Sequence, residues 1–174
     1  GDVYKRLGIK CVMYEGDRPG AGKKVMERLD PHLAHDWGGE IPGPDVPIKN
    51  FSAAWQGLLV VPRSGTYLFR ARRRGGMRLM VGSTAVVNDW KDNEAWEDGR
   101  PVMLRAGTTP IALAYFNKQD KPAAQIYWTG PDFMLRRLGD GDLVHKAKEI
   151  ELAAPWSDPA AVAVAPGGGA GPGK

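Results

Sequence analysis

The chain has a cluster of cationic side chains in a stretch that contains no acid. No Asp or Glu occurs between Val46 and Asn88. The cations of that stretch are Lys49, Arg63, Arg70, Arg72, Arg73, Arg74 and Arg78. Guanidinium groups bind carboxylate, sulfate and phosphate groups through paired hydrogen bonds. The five arginines within residues 70–78 therefore predict a binding surface for a glycan or an anionic polymer.

A second interpretation of the same cluster is structural. An acidic block follows it directly, made up of Asp89, Asp92, Glu94, Glu97 and Asp98. Arginines that pair with these acids would be neutralised, and exposed pairs of this kind add little stability. Both interpretations stay open at the level of sequence.

Two tryptophans lie within the acidic block, and their rings could stack on sugar faces. We expect Trp90 and Trp96 to be exposed and to join the arginines in a ligand-binding surface. The remaining tryptophans up to residue 128, Trp37, Trp55 and Trp128, are expected in the core.

Other chemistry is poorly supported by the residue pattern. His32, His35 and Asp36 offer three possible metal ligands, but a loop after Pro31 does not enforce their convergence, so we predict no metal site. Cys11 is the one cysteine; it cannot form an intrachain disulfide, and we expect a small buried hydrophobe. No serine is paired with a base and no carboxylate pair is held in a rigid frame, so we predict neither an enzyme nor a cofactor.

Composition narrows the class of protein. The 174 residues include 43% hydrophobic and 25% charged side chains with a formal charge of +4, which is ordinary for a globular domain. That charge is too small to indicate a nucleic-acid partner. No apolar run approaches the roughly 20 residues that a membrane span requires.

Short segments in which apolar and polar residues alternate, separated by Gly and Pro, are expected to form the strands that carry the candidate site residues. We expect strands over 9–14, 51–61, 66–73, 77–81, 84–87, 102–105, 110–116, 123–128 and 146–152. We also expect a hairpin turn at Gly75-Gly76, a second at Gly82-Ser83, a short helix over 23–29, a long loop over 30–47 and an acidic loop over 88–99.

This pattern predicts an all-β fold, an antiparallel β-sandwich with little helix, over residues 1–152. Residues 153–174 differ in composition, since Ala, Pro and Gly supply 16 of these 22 residues. We expect a linker or tail there, in which Trp156 is the one residue suited to docking on the domain.

A set of short motifs in a fixed order resembles the protective-antigen-type domain, a lectin-like β-sandwich named after anthrax protective antigen. The motifs are DWG at 36–38, FSAAWQG at 51–57, PRSGTYLF at 62–69, GMRLMV at 76–81, VVNDW at 86–90, LRAG at 104–107, PIALAYF at 110–116 and YW at 127–128. The resemblance covers residues 8–145.

The resemblance implies a non-catalytic module of a secreted, periplasmic or cell-surface protein. Several such domains bind glycans through a calcium ion held by an Asp-Asp dipeptide before the glycine of the central hairpin. Those two positions align here with Arg74 and Gly75, which carry no carboxylate. Calcium takes six to eight oxygen ligands, so the sequence predicts recognition without calcium.

The predicted function is therefore calcium-independent binding of a glycan or anionic polymer, through Arg70, Arg72, Arg73, Arg74, Arg78, Trp90 and Trp96. The alternative is a structural or protein-interaction module in a larger extracellular or envelope assembly. In that case the arginine stretch contacts an acidic partner protein or another domain of the same polypeptide.

Overall fold

The computed structural model describes residues 5–146, and these residues form twelve strands and no helix. The strands are β1 (Lys5–Leu7), β2 (Ile9–Glu15), β3 (Lys24–Asp30), β4 (Ala34–Asp36), β5 (Phe51–Val61), β6 (Gly65–Val81), β7 (Thr84–Asp98), β8 (Val102–Leu104), β9 (Gly107–Asn117), β10 (Ala123–Gly130), β11 (Phe133–Arg137) and β12 (Leu143–Lys146). The predicted all-β class is confirmed. This part of the chain contains no helix long and apolar enough to cross a membrane.

All neighbouring strands are antiparallel, in a sheet that curls around one core. The main path runs β1-β12-β5-β9-β6-β10-β11; β2 lies beside β5 and β3 beside β2, while β7 lies along β6. Side chains at odd positions of β5, β6 and β9 face inward, among them the fully buried Trp55, Leu79 and Leu113. The period of two in these strands separates core residues from outward residues.

The hairpin predicted at Gly75-Gly76 is wrong, because β6 runs unbroken from Gly65 to Val81. A Cβ on Gly75 would lie 2.2 Å from the Phe116 carbonyl oxygen, and one on Gly76 would lie 2.1 Å from the Phe116 ring. The two glycines therefore allow close contact with β9 rather than a turn. The chain reverses instead at Gly82-Ser83, as predicted.

Two further element predictions are wrong. The segment predicted as a helix is strand β3, whose residues pair with β2 from Ile9 to Tyr14. The segment predicted as an acidic loop is the second half of β7, which pairs with the arginine-bearing part of β6. In both cases pairing with a neighbouring strand determines the structure, because the local sequence preference for helix or loop is weak. The strand predicted over 146–152 lies, beyond residue 146, outside the described residues, as does Trp156.

Candidate functional site

The outward face of β6, β7 and β10 carries three of the predicted arginines. Phe69 and Ala71 face the core and are at most 1% exposed, whereas the alternate residues Arg70, Arg72 and Arg74 point outward. The register of β6 against β7 and β10 places acidic, aromatic and amide side chains beside them. These outward side chains form one continuous surface, since adjacent strands lie about 4.8 Å apart.

Each of the three outward arginines has a carboxylate partner. Arg70 Nε donates to Asp98 Oδ1 at 2.7 Å. The Asp36 carboxylate accepts from Arg72 at 2.9 Å and from Arg74 at 2.8 Å. The hydrogen bond from Arg70 and its charge lower the pKa of Asp98. The predicted pairing with the acidic block therefore holds for Arg70, whereas the close partner of Arg72 and Arg74 is Asp36, which lies outside that block.

Trp96 lies at the centre of this face and is 57% exposed. Its ring centroid is 5.6 Å from that of Tyr127, and the Arg72 guanidinium lies 5.8 Å from the Trp96 centroid. Arg72 Nη1 also donates to Gln125 Oε1 at 2.8 Å, which fixes the guanidinium beside the rings. We call Arg72, Trp96, Gln125 and Tyr127 the Trp96 platform; it combines exposed ring faces with hydrogen-bonding groups at their edges.

A shallow groove of about 420 Å³ adjoins the platform beyond Arg70 and Asp98. Its apolar lining includes Leu68 and Leu135, which are 45% and 48% exposed. The groove extends the surface that a ligand lying on the Trp96 platform would meet.

Arg73, which was predicted to contact ligand, is 1% exposed and faces inward. Its Nη2 donates to Asp89 at 2.5 Å and to Glu97 at 2.8 Å, and its Nη1 donates to the Gly75 carbonyl at 2.7 Å. These contacts connect both halves of β7 to the glycine pair in β6. Arg73 therefore holds the strands together beneath the surface and does not reach a ligand.

Two other predicted ligand contacts also lie away from the platform. Arg78 is 1% exposed, on the half of β6 that pairs with β9. Trp90 is half-buried, with its ring centroid 4.9 Å from that of Phe116. Of the seven predicted site residues, the outward face between β10 and β7 therefore brings together Arg70, Arg72, Arg74 and Trp96.

Of the three candidate metal ligands after Pro31, His32 and His35 lie side by side, with ring centroids 4.7 Å apart. His35 stacks between the Trp37 and Trp55 rings, with centroids 5.1 and 5.7 Å away. Asp36 faces the arginines instead, as described above. Among residues 5–146 no group of three His, Cys, Asp or Glu side chains is placed to hold a metal ion.

The donor set around Arg74 does not suit the calcium ion that the resemblance implies. The Arg74 and Gly75 side chains offer no oxygen, and both oxygens of the nearby Asp36 accept from arginine. The Arg74 carbonyl accepts from Tyr115 Oη at 2.5 Å. Calcium needs several oxygen ligands that are free to coordinate it, whereas the side chains around Arg74 are cationic or already accept hydrogen bonds from arginine.

Asp36, Gln125 and Tyr127 also belong to this face, although the sequence pattern did not predict them as site residues. The alternation in β10 was a usable signal, because Ala124, Ile126 and Trp128 are buried and the alternate residues Gln125 and Tyr127 must point outward. Asp36 gave no such signal, since β4 is three residues long and pairs with β10 across a distant part of the sequence.

Known proteins share both sequence and fold with this chain. A curated relative, the anti-sigma-I factor RsgI3 of Acetivibrio thermocellus, is 28% identical over 103 residues, or 59% of this chain and 16% of the relative. This chain thus spans about a sixth of that relative's length. A solved anti-sigma factor domain-containing protein from Clostridium clariflavum superposes with a TM-score of 0.73 at 21% identity, covering 79% of this chain and 47% of the other.

A fungal adhesin has the same fold. The A domain of epithelial adhesin 9 from Candida glabrata, solved in complex with Galβ1-3GlcNAc, superposes with a TM-score of 0.69 at 14% identity. The match covers 84% of this chain and 92% of the adhesin domain. Residues 5–142 match the PA14 domain family, and the chain belongs to that family.

Proposed function

We propose that this domain is a non-catalytic binding module that recognises a neutral glycan on the Trp96 platform. The observation that carries the proposal is the 57% exposure of Trp96 in a sheet whose other tryptophans in the described region are buried or half-buried. An exposed indole offers apolar area and CH–π contact to a sugar face, and its polar neighbours can form hydrogen bonds with the sugar hydroxyl groups.

The charge balance of the face favours a neutral sugar over an anionic polymer. Arg70, Arg72 and Arg74 are matched by Asp98 and by the shared carboxylate of Asp36, and Glu94 lies 3.9 Å from Arg74. A sulfate or uronate would have to displace one of these carboxylates. Sugar hydroxyls can accept from the same guanidinium groups and donate to the carboxylates, so both members of a pair can be used.

The family and the adhesin neighbour support this assignment. That neighbour was solved with a bound disaccharide, so the fold can present a sugar site. We propose that binding here needs no calcium, because arginine and glycine occupy the positions that the family resemblance assigns to the Asp-Asp dipeptide. We also propose a secreted or cell-surface location, with the domain formed by residues 1–152 and a linker after it.

A glycan array tests the class of ligand. We expect the full chain to bind neutral glycans equally well with calcium and with chelator, and Trp96→Ala to lose those signals. Met134→Ala is the matched control, because Met134 is 87% exposed on β11 and lies off the platform. Binding confined to sulfated or uronic glycans, or abolished by chelator, would contradict the proposal.

A protein-interaction role is the second candidate. Strand β11 ends the main strand path, and it exposes Met134 and Leu135. An exposed edge strand with apolar side chains can accept a strand from a partner. If Met134→Lys abolished capture of a partner while Trp96→Ala did not, this second role would be favoured.

A further inference from the structure

The outward face of β6 continues beyond the Trp96 platform as a series of cross-strand rows. Each row joins an outward residue of β6 to its directly paired residue on β10. Three successive rows are Arg72 with Gln125, Arg70 with Tyr127, and Leu68 with Thr129. Outward residues of one strand recur about every 6.8 Å, so these rows extend about 14 Å along β6. We call these three rows the β6 strip, and the strip is longer than a single sugar ring.

The Leu68 end of the β6 strip lies in the apolar groove beside the platform. Leu68 and Leu135 line this groove with exposed side chains. Arg70 and Asp98 line it too, and Asp98 follows Trp96 by two positions in β7, on the same side of that strand. The Trp96 ring and the two leucines therefore lie on opposite sides of one ion pair. A ligand that extends along β6 from the Trp96 ring meets the leucines next.

The first two rows of the β6 strip offer hydrogen-bond donors together with acceptors. Arg72 is paired with Asp36 at 2.9 Å, and Arg70 is paired with Asp98 at 2.7 Å. The Arg70 and Asp98 side chains are 44% and 73% exposed, so a ligand can reach both members of that pair. Sugar hydroxyls donate and accept, and they therefore match a cation beside an anion. Because the paired charges recur from row to row, they suit the hydroxyls of successive sugar residues.

We propose that the β6 strip binds an internal segment of a neutral polysaccharide, with one ring on Trp96 and a later ring in the groove at Leu68 and Leu135. The inference rests on the proposed function and names the class of ligand within it. A terminal mono- or disaccharide would cover the Trp96 ring and leave the leucines exposed. A longer chain also buries the leucines, and affinity rises with the apolar area removed from water. The shallow groove encloses no chain end, so the bound segment can continue past it.

A length series of neutral oligosaccharides tests this ligand class with the full chain. The probes are the di- to hexasaccharides of the cello-, xylo-, manno- and N-acetylchito- series, titrated in chelator. In each series that binds, we expect the tetrasaccharide Kd to lie at least about tenfold below the disaccharide Kd. Leu135→Ser should raise the tetrasaccharide Kd about fivefold and leave the disaccharide Kd unchanged, because only the longer ligand reaches the groove. Leu29→Ser on β3 is the matched control, since Leu29 is 49% exposed and lies outside the groove.

The outcomes separate this inference from the proposed function. Equal Kd values for di- and tetrasaccharide, or an unchanged tetrasaccharide Kd in Leu135→Ser, would overturn the inference alone, provided that Trp96→Ala still loses binding at both lengths. If Trp96→Ala bound both lengths as the wild type does, or if no series bound at any length, the proposed function would fail together with the inference.

Stoichiometry on a soluble polysaccharide distinguishes internal from terminal recognition. The probe is the long soluble polymer of whichever oligosaccharide series binds, titrated with the full chain. We expect several copies of the domain to bind each polymer chain, because internal segments recur along it. One copy per polymer chain would show that a chain end is recognised, and that result would overturn the inference.

Discussion

At the scale of single residues, Asp30 shows how one buried carboxylate joins distant segments. Its Oδ2 accepts from Trp55 Nε1 at 2.8 Å, and its Oδ1 accepts from Arg28 Nε at 2.6 Å. His35 Nε2 lies 3.3 Å from the same carboxylate. Burial alone would raise the pKa of Asp30, but His35, Trp55 and Arg28 together lower it to about 2.

This shift predicts acid sensitivity. The folded-state pKa lies below the ordinary value of 3.8, so the stabilisation is complete above pH 3.8 and is lost as pH falls toward 2. The free energy of unfolding that is lost when Asp30 is protonated amounts to about 2 kcal/mol. Urea unfolding from pH 6 to pH 2 should show that Asp30→Asn is less stable at pH 6 and loses less stability on acidification. Exposed Asp45→Asn is the control, and an acid slope equal to wild type in Asp30→Asn would refute the role.

Arg70 and Arg73 form a matched pair for a second test, since they lie three residues apart in β6. Arg73→Met leaves Asp89 and Glu97 without their buried partner and should cost about 3 kcal/mol in urea unfolding. Arg70→Met breaks an exposed pair with Asp98 and should leave the unfolding midpoint nearly unchanged. Similar losses for the two substitutions would show that Arg73 does not hold the strands together.

At the scale of elements, β6 explains which features could be predicted. Its inward and outward residues follow from alternation alone, and Arg70 and Arg72 point outward as expected. Whether Gly75-Gly76 makes a turn depends on Phe116 of β9, forty residues away. Local pattern cannot distinguish a turn from a close strand contact, because the cause lies in another element.

Substitution at Gly75 tests this explanation. Gly75 has φ of +133° and no room for a Cβ beneath the Phe116 carbonyl. Gly75→Ala should therefore lower the free energy of unfolding by more than about 2 kcal/mol. Gly16 has φ of +88° with no atom within 4 Å, so Gly16→Ala measures the backbone strain without the clash. Equal losses of stability for Gly75→Ala and Gly16→Ala in thermal or urea unfolding would mean that the close contact between Gly75 and Phe116 is unimportant.

At the scale of the whole molecule, the curled sheet separates two outward faces with different chemistry. One face carries the Trp96 platform with its paired charges. The other carries Arg78, which is 1% exposed and whose Nε and Nη1 have no hydrogen-bond partner among residues 5–146. The family and fold class could be predicted from motif order and turn spacing. The composition of the outward face could not, because Gln125 and Tyr127 reach it through the pairing of β10 with β6, and Asp36 reaches it through the pairing of β4 with β10.

The central claim is that Trp96 and its neighbours bind a neutral sugar without calcium. Isothermal titration of the strongest array glycan, in chelator, tests it most directly. We predict that Trp96→Ala weakens the Kd at least about tenfold, as expected for the loss of a stacking aromatic anchor, while Met134→Ala leaves it unchanged. An unchanged Kd for Trp96→Ala, or binding that appears only when calcium is restored, would contradict the account.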